Sequence, residues 1–108
     1  MMKSKFLSNL GLAMRAGKLV TGDEGVMAAV KSGDAKLVII AEDAAANTSK
    51  KMSDKCSTYH VPVLVYGSRE QLGTSIGKAD RVVIAVTDKG FAQMLEKVWK
   101  LPEVQAIE

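Results

Sequence analysis

The run "TGDEG" at residues 21–25 sets two carboxylates, Asp23 and Glu24, directly behind a turn glycine, Gly22. The residues that follow repeat at helical spacing, so the pair opens a helix. A helix start beside a glycine turn is a natural anion site, because its free N–H groups and positive dipole end face outward. Carboxylates at that place repel a phosphate. They can complement the dipole, an effect worth about 0.3–1 kcal/mol each, or accept hydrogen bonds from a ligand's N–H groups. The residues alone leave both uses open.

Other groupings with chemical potential are sparse. Cys56 and His60 are four apart on an expected helix and could form half of a metal site. Zinc needs at least three protein ligands, and there is no second Cys or His, so no metal is expected. Glu42 and Asp43 follow an apolar run, where carboxylates are usually solvated or capping. No GxGxxG run, phosphate-loop lysine or GxSxG elbow occurs, so the sequence is poor in catalytic equipment and no cofactor is expected. The five aromatic residues are too few for a base-stacking row, and Phe6, Phe91 and Trp99 fall on apolar stripes.

At 108 residues the chain fits one domain with its own core. Fifteen basic against twelve acidic residues give +3, which permits a nucleic-acid or membrane-surface partner without demanding one. The lone Cys56 excludes a disulfide framework and makes a reducing cytoplasm the default. No stretch approaches the ~20 apolar residues of a membrane span. The basic, acid-free start resembles a transit segment in composition. Phe6, Leu7, Leu10 and Met14 lie at helical spacing, however, and read as the domain's first helix.

The elements that must position Asp23 and Glu24 alternate regularly. A short strand over 18–21 precedes the helix 23–32, which carries Val26, Met27 and Val30 on one face and Gly33 as its C-terminal cap. "AKLVIIA" (35–41) and "RVVIAV" (81–86) are unbroken apolar runs, expected as central strands covered on both faces. Between them lie three elements and a turn. The first is a helix capped by Asn47 or Thr48, with Met52, Cys56 and Tyr59 on one face. A strand over 61–67 follows, then a short helix opened by the capping-box pair Ser68 and Gln71 and carrying Leu72 and Ile76. A polar turn occupies 77–80. The last helix starts at Thr87 or Asp88, buries Phe91, Leu95, Val98 and Trp99, and stops at Pro102. This alternation predicts an α/β fold, a three-layer α/β/α sandwich around a small sheet.

Three features taken together carry a family resemblance: the strand–glycine–acidic helix start, "AKLVIIAED", and the "LG…G" turn before the fourth strand. At these spacings the chain resembles the kink-turn RNA-binding ribosomal protein superfamily, which includes the archaeal large-subunit protein seven-Ae and its eukaryotic relatives. Within it, the chain is most similar to the bacterial YlxQ-like branch. The resemblance implies a single non-enzymatic RNA-binding domain over 1–102, followed by a tail at 103–108. The implied sheet is mixed and four-stranded, with one strand reversed so that two loops share one end. Default right-handed parallel crossovers would put those loops at opposite ends.

By position, the resemblance assigns Thr21, Gly22, Asp23 and Glu24 to one RNA contact. It assigns Gly77, Lys78, Ala79, Asp80 and Arg81 to a loop over a flipped-out nucleotide, and Arg69 to a flanking basic position. The implied partner is structured RNA of the kink-turn type, including ribosomal RNA, bound by a cytoplasmic monomer without membrane or small-molecule substrate. The family's strongest binders read GxNExxK at the helix start. Here Glu24, Gly25 and Ala28 stand at the Asn, Glu and Lys positions, and "KAD" replaces an apolar loop. A carboxylate still accepts well from base N–H groups. Lys18, Arg69, Lys78 and Arg81 are then expected to hold phosphates around it. The first alternative is a small adaptor whose RNA surface has decayed and which binds a protein; the second is a nucleotide-using enzyme with its site at the strand ends.

Overall fold

The structure, a computed structural model, describes residues 5–100. In chain order these form α1 (Lys5–Arg15), β1 (Leu19–Thr21), α2 (Asp23–Ser32), β2 (Leu37–Ile40), α3 (Ala46–Thr58), β3 (Val63–Val65), α4 (Arg69–Ser75), β4 (Val83–Val86) and α5 (Lys89–Trp99). The sheet order is β1-β4-β2-β3. The two apolar runs, β2 and β4, are the central strands, and every residue in them is buried.

Side-chain alternation along these strands builds the three layers. Leu37 and Ile39 of β2, with Ile84 and Val86 of β4, meet Phe6, Leu10, Leu72 and Leu95 from α1, α4 and α5. Val38, Ile40, Val83 and Ala85 point the other way, against Val26, Val30, Met52 and Cys56 of α2 and α3. Each such large apolar side chain contributes about 1.5–3 kcal/mol when fully buried. Among the described residues no helix is long and apolar enough to cross a membrane.

The sheet is mixed. β2 and β3 run parallel, whereas β4 runs antiparallel to both β1 and β2. Thr21 at the end of β1 therefore pairs with Ile84 near the start of β4. The Gly22 turn and the 77–80 loop lie at one end of the sheet, together with the starts of α2, α3 and α4.

Several expectations need correction. α3 is capped by neither Asn47 nor Thr48: Ala45 is its N-cap, without a side-chain bond. Ala46 is a strong helix former and the Ala45 carbonyl closes the first turn with Ser49 N–H. Asn47 lies inside that turn, where its Oδ1 accepts from Thr48 N–H. Tyr59 does not share the buried face of Met52 and Cys56. The helix ends before it, and the residue is 44% exposed.

The strands are shorter than their apolar runs. β3 is confined to Val63–Val65, with Pro62 lacking an N–H before it and Gly67 at φ 73° after it. Phe91 and Trp99 are only partly buried against the core that holds Leu95 and Val98. Of the two candidates for the last cap, Asp88 is the one used, accepting from Phe91 N–H at 2.9 Å. Pro102 and the tail at 103–108 lie outside the described residues.

Candidate nucleic-acid interface

The first half of the site is the Gly22 turn. Gly22 holds φ 90° and ψ 150°, a region essentially reserved for glycine, and its carbonyl accepts from Val26 N–H at 2.9 Å. A Cβ at this position would meet nothing within 4 Å. Glycine is thus required by the backbone angle, and the space in front of it is open. Gly25 has the opposite reason, since a Cβ there would come within 2.9 Å of Val20 Cγ1. Its bareness lets the helix start lie close against β1. Asp23 and Glu24 are both exposed in the first turn, and Gly22 supplies no side-chain cap.

The second half is the loop between α4 and β4. The Ser68–Gln71 capping box forms as expected and starts α4 cleanly. At the other end of α4, Gly73 allows direct backbone contact with the loop, because a Cβ on it would collide with the Ala79 carbonyl. Lys78 N–H donates to the Gly73 carbonyl at 2.9 Å, and Gly77 turns the chain at φ 75°. The Lys78 side chain is exposed on this loop.

Arg81 joins the two halves. Its Nε donates to Thr21 Oγ1 at 3.2 Å, and its Nη1 donates to the carbonyls of Ala79 at 3.2 Å and Asp80 at 2.9 Å. Its backbone N–H donates to the Arg69 carbonyl at 3.0 Å. Arg69 is anchored in turn: its N–H donates to Asp43 Oδ1 at 2.9 Å and its Nη2 to the Asp43 carbonyl at 2.6 Å. A chain of ties thus runs from Asp43 through Arg69 and Arg81 to Thr21. The two arginines, expected to hold phosphates, use donors on the protein itself and act first as braces.

Lys18 is not part of this cluster. It precedes β1, and its carbonyl accepts from Thr87 N–H and Oγ1 beyond the end of β4. Three strand residues, about 10 Å, separate it from the Gly22 turn. Cys56 and His60 do not converge either. Cys56 is buried, and desolvation pushes its thiol pKa up, whereas His60 is exposed past the end of α3. No group of three metal-ligating side chains occurs among the described residues.

The strand–glycine–acidic helix start faces the braced loop across the antiparallel β1–β4 pair. The model of the ribosomal protein L7Ae/L30e/S12e/Gadd45 family matches residues 4–96. The chain belongs to this family. The RNA-binding protein YlxQ of Bacillus subtilis (strain 168) is 54% identical over 86 residues, covering 80% of this chain and 86% of the relative. The large ribosomal subunit protein eL30B of Schizosaccharomyces pombe is 36% identical over 94 residues, covering 82% of this chain and 77% of the relative. A solved structure of a protein with unknown function from Bacillus halodurans C has 50% identity and a TM-score of 0.87, covering 89% of this chain and 97% of that one.

For an L7Ae/L30e-type chain, the small residue at Ala28 has a visible consequence. Ala28 lies with Asp23, Glu24 and Met27 in a groove of about 320 Å³ that Lys31 and Lys51 flank. The basic surroundings of the acidic helix start therefore come from α2 and α3. Sequence reasoning missed these two lysines, although Lys31 stands seven residues after Glu24 and so on the same helical face. Lys51 carried no local signal, because only packing brings α3 beside α2. Asp43 and Gly73 were missed as site residues too. Both sat inside quoted motifs, but their partners are distant in sequence.

Proposed function

We propose that this protein is a non-enzymatic RNA-binding protein that recognises a kink-turn or similar internal-loop RNA and works as a ribosome-associated monomer in the cytoplasm. The binding unit on this reading is the single domain 1–102, with 103–108 as a tail. The observation that carries the proposal is the Arg81–Thr21 hydrogen bond, which holds the acidic helix start and the 77–80 loop on one end of the sheet. The names of the relatives, an RNA-binding protein and a ribosomal protein, supply the partner class.

Each residue then has a role. Asp23 and Glu24 accept from base N–H groups exposed where paired strands open, and Gly22 leaves room for the RNA to approach. Lys78 reaches a phosphate, while Gly77, Ala79 and Asp80 form the loop that closes over an unstacked nucleotide. Arg69, Arg81 and Thr21 hold that loop in place. Lys31 and Lys51 supply the phosphate-facing charge that Ala28 lacks.

The test is a titration of the protein with a kink-turn RNA and with the same RNA after replacement of its tandem G·A pairs. Tight binding lost on that replacement supports the proposal. Equal, weak binding to both RNAs defeats it and favours the adaptor reading.

A further inference from the structure

A groove near the other end of the molecule is lined in part by residues that depart from what local structure prefers. About 490 Å³ in volume, it lies where α2 and α3 end and α5 begins, and Tyr59, His60, Lys36, Lys89, Gln93 and Glu96 line it. The strand ends on that side are Val86 with Leu19 and Leu37, so the groove is at the end of the sheet remote from Gly22.

Three of these residues are locally unfavourable. His60 occupies the left-handed position after α3 at φ 60°, where Val61 N–H closes back on the Cys56 carbonyl at 2.8 Å. This is a helix-ending geometry that favours glycine. Among the described residues, five positive-φ positions hold Gly17, Gly22, Gly33, Gly67 and Gly77, and His60 is the exception. Tyr59 is the one exposed residue among the Phe, Tyr and Trp side chains of the described residues. Lys89 is the first residue of α5, at the positive end of the helix dipole, where a cation is disfavoured. Local rules broken together at one place point to a ligand that repays them.

We propose that this groove is a second RNA-binding site, which takes an unpaired stretch of a single strand. An exposed ring beside cationic side chains is the chemistry that binds single strands without sequence preference. A base stacks on the Tyr59 ring, and Lys89 and the His60 ring face the backbone phosphates. Gln93 and Glu96 on α5 offer an amide and a carboxylate to a base edge. Lys36 is positioned by its Nζ, which donates to the Gly33 carbonyl at 2.9 Å at the C-terminus of α2. Lys18, whose carbonyl is bonded to Thr87, lies at the same end of the sheet as Lys89. A protein with both surfaces can hold two RNA segments at opposite ends of its sheet.

The test is a fluorescence-anisotropy titration of a labelled adenosine hexaribonucleotide with the full chain at several salt concentrations. Tyr59→Ala is expected to weaken binding about tenfold, in the range of one lost base–aromatic stack, and Tyr59→Phe to restore it. Lys89→Ala should lower the salt-dependence slope by about 0.7, one single-strand phosphate contact. His60→Gly should raise the melting temperature and weaken binding together. Lys5→Ala, an exposed cation at the start of α1 outside both surfaces, should leave hexanucleotide affinity unchanged. The proposal is overturned by absence of hexanucleotide binding, by equal affinity in Tyr59→Ala, or by a loss that only Glu24→Gln and Lys78→Ala produce. Concentration-dependent dimerisation abolished by Tyr59→Ala, without RNA binding, would assign the groove to a second copy and also overturn it.

Discussion

Arg81 Nε donates to Thr21 Oγ1 at 3.2 Å, linking the last residue of β1 to the residue that follows the 77–80 loop across sixty positions of sequence. Two further donors from the same guanidinium hold the Ala79 and Asp80 carbonyls. One side chain therefore fixes both the shape of the loop and its distance from the helix start. A lysine has no planar fork and cannot reproduce three such bonds at once.

Arg81→Lys and Arg81→Ala should accordingly both loosen the loop. The expected result is faster amide exchange in the 77–80 loop and at least tenfold weaker kink-turn binding, with α1 and α5 unaffected. Thr21→Val removes one acceptor and should cost about 0.5–1.5 kcal/mol in urea unfolding. Unaltered exchange in the loop of Arg81→Ala would show that the Gly73 contact alone holds it.

Gly22→Ala tests the other half. At φ 90° and ψ 150° an alanine is strained although its Cβ has open space, so the cost should be about 1–3 kcal/mol. RNA affinity should fall as well, because the new Cβ occupies the space in front of α2. Chemical denaturation and RNA titration of the same protein separate the two effects. Loss of stability with full RNA affinity would leave Gly22 as a turn residue and nothing more.

Gly73→Ala sets two effects against each other. Alanine gains up to ~1 kcal/mol of helix propensity over glycine. Against that, its Cβ collides with the Ala79 carbonyl, and relieving such an overlap costs about 1–3 kcal/mol. The collision is with backbone, which cannot swing aside as a side chain can, so net destabilisation is expected. A melting temperature at or above that of the unsubstituted protein would contradict the close contact.

Glu24→Gln and Lys78→Ala should separate base reading from phosphate holding. Lys78→Ala should weaken binding to kink-turn and control RNA equally and lower the salt slope by about 1. Glu24→Gln keeps the shape and one acceptor but loses the charge. It should cost on the order of 1–3 kcal/mol on the intact motif, by analogy with base-edge contacts in DNA. On RNA lacking the G·A pairs it should be neutral or favourable. Equal tightening on every RNA would reduce Glu24 to a partner of the helix dipole.

The sequence by itself determined what local chemistry controls. "AKLVIIA" and "RVVIAV" had to be buried on both faces, and they became the central strands β2 and β4. Ser68 and Gln71 formed their capping box, because its partners are three residues apart. Gly22 and Gly33 took positive φ where a turn and a helix end needed it. A strand buried on both faces, however, carries no mark of its direction. That β4 runs against β1 and β2 is a property of the assembled sheet, and it alone puts Gly22 and Lys78 at one end. The tertiary structure likewise turned Arg69 and Arg81 inward as braces and brought Lys51 beside Glu24. It also left Tyr59 exposed beyond the end of its helix. Each of these depends on a contact between residues far apart in the chain, whose distance only packing sets.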